Sequence, residues 1–157
     1  MLLLNGCCYI SLEYCMSKLR KNEAIKSIMV TNPITINQNT KISEAAALFQ
    51  ENAIHHLPVV SGEKLIGMFS YLDLMKIDYS ASFGEDSRQS LKTLDSTKTI
   101  IEVMTDNPET IRERETIRDA AKILSNGAYH SLPVVDEKNC LMGIVTSTDV
   151  IRYLAEL

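Results

Sequence analysis

The sequence lacks the positive charge that binding to nucleic acid usually requires. Its 157 residues include 16 Lys and Arg against 20 Asp and Glu, which gives a formal net charge of −4 and a pI near 5.4. Proteins that bind the phosphate backbone nonspecifically carry a basic excess. We therefore expect no nucleic-acid partner, and any phosphate that the protein binds must meet donors placed locally.

Cysteine is scarce, and its distribution excludes two common uses. Three of the four cysteines, Cys7, Cys8 and Cys15, lie in the first fifteen residues, and Cys140 stands alone far downstream. This spacing matches neither a disulfide framework nor a zinc site. We interpret Cys140 as a structural thiol, the alternative being a reactive one.

A long hydrophobic run is missing as well. The apolar stretch from Leu2 to Leu4 is short, is followed by Asn5 and Gly6, and has no positive charge before it. A signal peptide or a membrane-spanning helix needs a longer apolar segment. We therefore expect a cytoplasmic protein without a membrane partner. Because the composition changes at Met16, we hypothesise that translation starts there.

What the sequence does contain is an internal repeat, which organises the whole chain. Residues 29–60 align with residues 104–135, and after one inserted residue the segment 65–70 aligns with 141–146. Each copy contains three motifs in the same order: Met-x-x-Asn-Pro-x-Thr-Ile, His-x-Leu-Pro-Val-Val and Gly-x-x-Ser/Thr-x-x-Asp. We divide the chain into an N-terminal extension (1–23), a first unit (24–78), a linker (79–98) and a second unit (99–157).

Each copy predicts the same opening elements. A short helix is predicted to end near Met29 and near Met104, because the Asn-Pro that follows disfavours helical backbone. A brief strand is predicted around residues 35–36 and 110–111. An amphipathic helix comes next, since apolar residues recur at the spacing that lines one helix face.

Local signals set the limits of the two amphipathic helices. In the second copy, Thr116-x-x-Asp119 predicts a capping box at the helix start. The helices are predicted to end near Asn52 and Gly127, the residues best suited to a left-handed C-terminal cap.

Two apolar runs joined by a polar turn then predict a β-hairpin in each copy, and a last helix begins after Ser70 and after Thr146. Pro58 and Pro133 each remove a backbone donor, which predicts an edge strand or a row of carbonyls left free to face something else. The polar stretch 78–99 predicts a long linker that is partly mobile.

The predicted fold class is α/β, in the broad sense that includes α+β. Each unit is expected to combine a small three-stranded sheet with two packed helices. A unit of about 55 residues buries too little surface alone. We therefore expect the two units to pack together as one pseudo-symmetric body.

The three motifs, present twice and in order, resemble the cystathionine-beta-synthase (CBS) domain family over residues 24–157. The resemblance is to a tandem pair of the stand-alone bacterial or archaeal type. It implies units joined sheet to sheet, two clefts that take AMP, ADP, ATP or S-adenosylmethionine, and no further cofactor. It also implies a homodimer and an unknown protein that the ligand-bound pair regulates.

The resemblance assigns ribose binding to the Asp of the third motif. Asp149 would present two acceptor oxygens to the two ribose hydroxyls, with the hydroxyls of Thr146 and Ser147 beside it. The free amides of that helix start would suit a phosphate. The alternative is that Asp149 only caps its helix.

In the first copy the equivalent residues are Ser70 and Asp73, with the same alternative of helix capping. Bulky Tyr71 and Leu72 lie between them, where the second copy has Ser147 and Thr148. The second motif is therefore the better candidate for a ligand site.

The remaining candidates come from the first two motifs. The resemblance implies that Thr35 and Thr110 contact base or ribose at the cleft wall; the alternative is that they are β-branched residues of a short strand. Apolar walls for a purine would come from Ile54, Tyr129, Pro58 and Pro133, with core packing as the alternative for Ile54.

Histidines form a third group of candidates. His55, His56 and His130 have no supporting cluster of Cys or carboxylates, so we expect no metal site. The resemblance makes His56 a phosphate donor, whereas the second copy has Ser131 at that position. We weigh phosphate contact against a solvated surface charge for Arg112, Arg114, Arg118 and Arg152.

Catalysis finds no support in the motifs. We find no activated Ser or Cys with a base, no pair of carboxylates suited to a cleft and no Gly-rich phosphate loop. The favoured interpretation is a regulatory module that senses an adenosine nucleotide and is not an enzyme. The alternative is a non-catalytic dimerisation or interaction scaffold with degenerate clefts.

Overall fold

A computed structural model of the chain describes residues 22–81 and 87–156. The hypothesised start at Met16 lies outside these residues. The first copy runs through a short 3-10 turn and six further elements: Ile25–Ser27, then β1 (Val30–Thr31), β2 (Ile36–Asn37), α1 (Ile42–Asn52), β3 (His56–Ser61), β4 (Lys64–Ser70) and α2 (Tyr71–Ala81).

The rest of the chain repeats this order after one additional helix. Its elements are α3 (Ser87–Thr97), α4 (Ile100–Val103), β5 (Thr105–Asp106), β6 (Ile111–Arg112), α5 (Ile117–Leu124), β7 (Ser131–Val135), β8 (Leu141–Thr146) and α6 (Ser147–Ala155). The predicted order of helix, strand, helix, strand, strand, helix is thus confirmed, with a short strand added after the first helix of each copy.

The added strands are exchanged between the copies. One sheet has the order β2-β3-β4-β5 and the other β1-β8-β7-β6, so each three-stranded sheet predicted from the repeat receives a fourth strand from the opposite copy. Val30 pairs with Ile144, and Thr105 pairs with Met68. The two hairpins also bond directly, since the Leu65 N–H donates to the Asn139 carbonyl at 3.1 Å. The units are therefore joined through their sheets.

The glycines of the third motif allow this exchange. A Cβ atom added at Gly143 would lie 2.7 Å from the Val30 carbonyl oxygen and 2.9 Å from Met29 Sδ, closer than Cβ atoms approach other atoms. A Cβ atom added at Gly67 would collide with the side chain of Met104. The methionine that opens one copy therefore packs on the glycine of the other copy.

Asn-Pro also has a clear role in the exchange. Asn32 and Asn107 both adopt left-handed backbone, with φ of 52° and 48°. Asn tolerates this region better than most residues do. The turn directs the chain away from the exchanged strand and back to its own copy.

Of the two alternatives predicted for Pro58 and Pro133, the edge strand is wrong, because β3 and β7 each have a neighbour on both sides. The short parallel neighbour explains this. β2 pairs only with Val59 and Val60, and β6 only with Val134 and Val135, so pairing on that side begins after each proline. The missing N–H therefore interrupts no ladder there.

The predicted start of α5 and the predicted end of α1 near Asn52 are confirmed, whereas the left-handed residue after α1 and the end of α5 differ from the prediction. Thr116 and Asp119 form the predicted capping box. At the end of α1 the left-handed residue is Ala53, with φ of 51°, and not Asn52, whose amide donates to the Leu48 carbonyl at 3.0 Å. Helix α5 ends at Leu124, and Gly127 adopts left-handed backbone three residues later.

The linker contains a helix that the composition did not predict. Helix α3 packs on α1, and Asp95 accepts hydrogen bonds from the N–H and hydroxyl of Ser43 at 2.9 and 2.6 Å. Leu94 is buried in the core of the first copy. A few apolar residues with helical spacing were enough to attach this polar segment.

Two hydrophobic cores lie under the two sheets. The first contains Phe49 and Phe69, with ring centroids 5.7 Å apart, and the second is built on Leu132, Val134 and Val145. No helix among the described residues has the length and apolar character needed to cross a bilayer.

Candidate functional site

A cavity of about 870 Å³ lies between the two copies. Both copies contribute to its wall. The exchanged strand β1 places the residues that follow it in the first copy, Asn32–Ile34, near β8 of the second copy. Its lining consists of Val30, residues 32–34, residues 52–56, residues 70–72, His130, Ile144, residues 146–149 and Arg152.

Eight of the residues predicted from the sequence meet at this cavity: Ile54, His55, His56, Ser70, His130, Thr146, Ser147 and Asp149. Six others do not line it: Thr35, Pro58, Asp73, Thr110, Tyr129 and Pro133. Pro58 and Pro133 are buried within their strands, whereas Thr35 and Tyr129 are exposed elsewhere. Ligand contact by these six stays a prediction.

Asp149 is held tightly at the start of α6. Its Oδ2 accepts hydrogen bonds from the Thr146 N–H at 2.8 Å and the Thr146 hydroxyl at 2.7 Å. Its Oδ1 accepts one from Arg152 Nη1 at 3.0 Å. Because a carboxylate offers about four lone-pair directions, about one remains. The predicted capture of both ribose hydroxyls therefore requires Arg152 to move, which its 63% exposed side chain allows.

The capping alternative for Asp149 and Asp73 is realised in the structure. In Ser70–Asp73, Thr99–Glu102, Thr116–Asp119 and Thr146–Asp149, the acid accepts from the backbone N–H and the hydroxyl of the residue three positions earlier. Thr99 and Thr116 do not line the cavity. The motif therefore forms the same cap at these four helix starts, and only the location of Asp149 connects it with a ligand.

The start of α6 has fewer free amides than expected. The Ser147 N–H donates to the His130 carbonyl at 3.1 Å, and the Asp149 N–H donates to Thr146 Oγ1 at 3.2 Å. These two donors are already used, so the predicted anion site at this helix N-terminus is reduced. A phosphate in the cavity has to rely more on side chains.

All three histidines of the chain line the cavity. His56 is partly buried, while His55 and His130 are exposed. Burial lowers the pKa of His56, and the nearby His55 and His130 lower it further, against the opposing effect of Asp73. The His55 ring also meets the ring of Tyr71 edge-on, with centroids 6.1 Å apart.

The other charges near the cavity are largely paired. Lys76 Nζ lies 3.0 Å from Asp73 Oδ1. Burial would raise the pKa of Asp73, but hydrogen bonds from Ser70 and Lys76 outweigh it and lower the pKa. Among the four arginines considered, Arg152 alone belongs to the lining. Arg112 donates to the Asp136 carbonyl, and Arg114 pairs with Glu137 at 2.8 Å.

A second cavity of about 430 Å³ adjoins the first at Asp149 and Arg152. It is lined by Glu23, Ser27, Ile28, Tyr153 and Glu156 in addition to that pair. The Tyr153 hydroxyl donates to Glu23 at 2.6 Å across it. Within the described part of the chain, no group of three or more His, Cys, Asp and Glu side chains is placed to hold a metal ion.

Sequence reasoning missed the contribution of residues 32–34 and Ala53 to the cavity wall. Asn32 and Pro33 belong to a motif that was recognised, but their role depends on the strand exchange, which spacing within one copy does not reveal. Ala53 follows the end of α1. Because alanine is neither polar nor aromatic, its residue type did not mark it as a site residue.

Comparison with known proteins agrees with this geometry. The sequence is 31% identical over 146 residues to homoserine O-acetyltransferase of Methanohalobium evestigatum, covering 92% of this chain and 27% of the relative. It is 32% identical over 139 residues to the chloroplastic CBS domain-containing protein CBSX1 of Arabidopsis thaliana, covering 78% of this chain and 59% of the relative. The chain thus spans well under two thirds of the length of these relatives.

Solved structures match more of their own length. CBSX2 of Arabidopsis thaliana in complex with AMP has a TM-score of 0.71 at 26% identity, covering 85% of this chain and 97% of that one. The CBS domain pair of protein MJ0100, in complex with 5′-methylthioadenosine and S-adenosyl-L-methionine, has a TM-score of 0.69 at 32% identity, covering 86% and 98%.

The family comparison addresses the two copies separately. The CBS domain model matches residues 25–80 and again residues 100–156, which together make up most of the sequence. Since each match coincides with one copy of the repeat, the exchanged sheets and the cavity between them are those of a domain pair, and this chain belongs to the CBS domain family.

Proposed function

We propose that this chain is a regulatory module that binds an adenosine-containing ligand in the 870 Å³ cavity between its two CBS units. The main support is the meeting of predicted residues from both copies at one cavity. Its volume lies within the range of about 300–1,000 Å³ typical of small-molecule sites. The AMP, methylthioadenosine and S-adenosylmethionine complexes of the related pairs support the same ligand class.

The lining offers a partner for each part of such a ligand. Ile34, Ile54 and Ile144 provide apolar surface for a purine. Asp149 has acceptor capacity for a ribose hydroxyl, and the Ser147 hydroxyl lies beside it. The histidines and Arg152 provide donors for an anionic group.

Regulation follows from the position of the cavity. A ligand there contacts the lead-in of the first copy at Asn32–Ile34 and the last helix of the second copy at Ser147–Asp149. It therefore favours one packing of the two units over another, and a partner protein reads that change. The chain itself catalyses nothing in this proposal.

The test is a thermal-shift screen with AMP, ADP, ATP, 5′-methylthioadenosine, S-adenosylmethionine and the guanosine nucleotides. A ligand that binds only the folded state raises the unfolding midpoint by mass action. We expect a shift with adenosine ligands and a smaller one with their guanosine counterparts. The absence of any shift at millimolar concentration would favour the alternative, a scaffold with empty clefts.

We also propose that the module is a homodimer. Four apolar residues, Leu72 and Met75 on α2 with Ile151 and Leu154 on α6, have between 45% and 64% of their surface exposed. Met75 and Ile151 occupy equivalent positions of the repeat. Exposed apolar side chains grouped on the last helix of each copy are typical of an interface with another subunit.

A further inference from the structure

The three histidines come together from distant parts of the chain. His55 directly precedes β3, His56 is its first residue, and His130 directly precedes β7 in the other copy, yet all three line the same cavity. They are the complete histidine content of the sequence. Every imidazole in the protein is therefore positioned to meet one bound ligand.

Few acidic groups among the described residues face these imidazoles. Asp149 is the single carboxylate among the described lining residues, and its partner Arg152 lies in the same lining. Asp73 acts on His56 from α2, but it is paired with Lys76 and bonded to Ser70. Tyr71 packs edge-on against His55.

We propose that these histidines make the cavity selective for a phosphorylated adenosine ligand over S-adenosylmethionine, and that binding of the anionic group is coupled to uptake of a proton. The inference rests on the proposed function and specifies the ligand class at the same site. Amides at the start of α6 are already engaged by His130 and Thr146. Recognition of the anion therefore has to rely more on cationic side chains.

The direction of the coupling follows from the charges. In the free protein, burial and two neighbouring imidazoles keep the pKa of His56 below 6.5. A bound anion favours the charged imidazole and raises this pKa. Affinity for the anion therefore increases as the pH falls through the pKa of the bound state, and it levels off below the pKa of the free state. A cationic sulfonium is repelled over the same range.

The experiment compares ligands of fixed charge. The second pKa of a phosphate monoester, about 6, would obscure the effect with AMP, so the main probe is adenosine 5′-sulfate, whose single negative charge does not titrate near neutrality. Uncharged 5′-methylthioadenosine is the reference ligand. Calorimetric titrations run from about pH 8 to about pH 6, where an unperturbed histidine changes charge.

We expect the affinity for adenosine 5′-sulfate to rise as the pH falls, by up to about tenfold per pH unit for each proton taken up. The affinity for 5′-methylthioadenosine should stay level, and that for S-adenosylmethionine should fall. His56→Asn should flatten the sulfate profile partly, and the variant with all three histidines changed to Asn should flatten it fully. Thermal unfolding confirms that each variant is folded.

A measurement on the unaltered protein makes the test independent of the variants. Because all histidine signals report on this cavity, adenosine 5′-sulfate should shift the NMR titrations of the imidazole protons to higher pH. If both ligands bind with the same pH dependence and the imidazole titrations do not move, the inference is wrong while the proposed function stands. If no adenosine ligand binds, methylthioadenosine included, both fail together.

Discussion

Arg152 Nη1 lies 3.0 Å from Asp149 Oδ1, so the acid proposed to bind ribose is engaged by a neighbouring side chain. The same carboxylate caps α6 through Thr146. Asp149 is only 8% exposed, whereas Arg152 is largely exposed. In the proposed binding mode the arginine is therefore the partner that turns away, and its release would make an acceptor on Asp149 available to the ligand.

Replacing Asp149 with Ala should weaken binding of an adenosine ligand by tenfold or more and also lower the stability of the free protein. Loss of the cap costs about 0.5–2 kcal/mol in the free energy of unfolding. The matched control is Asp119→Ala, which removes an equivalent capping box from α5 at a position outside the cavity. Denaturant unfolding and calorimetry should show similar stability losses for both variants but a loss of affinity for Asp149→Ala alone. Equal affinity losses would mean that Asp149 acts only through its cap.

The strand exchange predicts that Gly67 and Gly143 differ in how far a second substitution restores the stability lost on mutation to Ala. Gly67→Ala and Gly143→Ala should each destabilise the protein by about 1–3 kcal/mol through overpacking. Adding Met104→Ala should recover much of the loss at Gly67, because the three atoms nearest the added methyl group all belong to that flexible side chain. Adding Met29→Ala should recover less at Gly143, since the Val30 carbonyl oxygen stays 2.7 Å away. Full recovery in both double variants would contradict the close approach of β1 to β8.

Acid sensitivity should depend in part on Asp73. Hydrogen bonds from Ser70 and Lys76 outweigh burial and hold the pKa of Asp73 below its ordinary value of 3.8. A lowered pKa in the folded state gives stability that is present above the unfolded pKa and is lost as the pH falls through the folded pKa. Asp73→Asn should therefore be less stable near neutral pH and show a flatter decline in acid.

Ser70→Ala serves as the control for this acid effect, because it keeps the carboxylate but removes the hydroxyl bond of 2.6 Å. Urea unfolding at several acidic pH values gives the free energy of unfolding as a function of pH. The slope of that free energy against pH should lie between the slopes of the wild type and Asp73→Asn. A slope equal to that of the wild type would assign the lowered pKa to other groups.

The proposed homodimer can be tested on the exposed helix residues. Met75→Glu and Ile151→Glu together should shift the molecular mass in solution from that of a dimer to that of a monomer, because buried charges at an interface are costly. Ile101→Glu is the matched control, since Ile101 is a similarly exposed apolar residue on α4. Light scattering after size-exclusion chromatography provides the measurement. A wild-type protein that is monomeric at every concentration would exclude the dimer.

The internal repeat predicted most of the fold because most elements can be recognised from a local sequence pattern. The spacing of apolar residues marked α1 and α5, and Thr116 with Asp119 marked a helix start. Strand exchange leaves no such signal: two-residue strands such as β1 and β5 have no period of their own. The third motif contained the relevant glycines, but their neighbours lie in the opposite copy.

The candidate site was predictable by residue type but not by grouping. Asp149, Thr146 and the histidines were identified because their chemistry suits a nucleotide. That His56 meets Asp149 at one cavity depends on how the two units pack, which is a property of the tertiary structure. The ion pair between Asp149 and Arg152 was equally unpredictable from the sequence, since two charged residues at i and i+3 of a helix do not always pair with each other.

The pairing of Val30 with Ile144 places the first described strand beside the last one. During synthesis the ribosome adds about 5 to 20 residues per second. The strand Val30–Thr31 thus leaves the ribosome on the order of ten seconds before its partner exists. The second sheet reaches its full width only after β8 has been released, so a nascent chain that stalls before Leu141–Thr146 carries an unpaired strand.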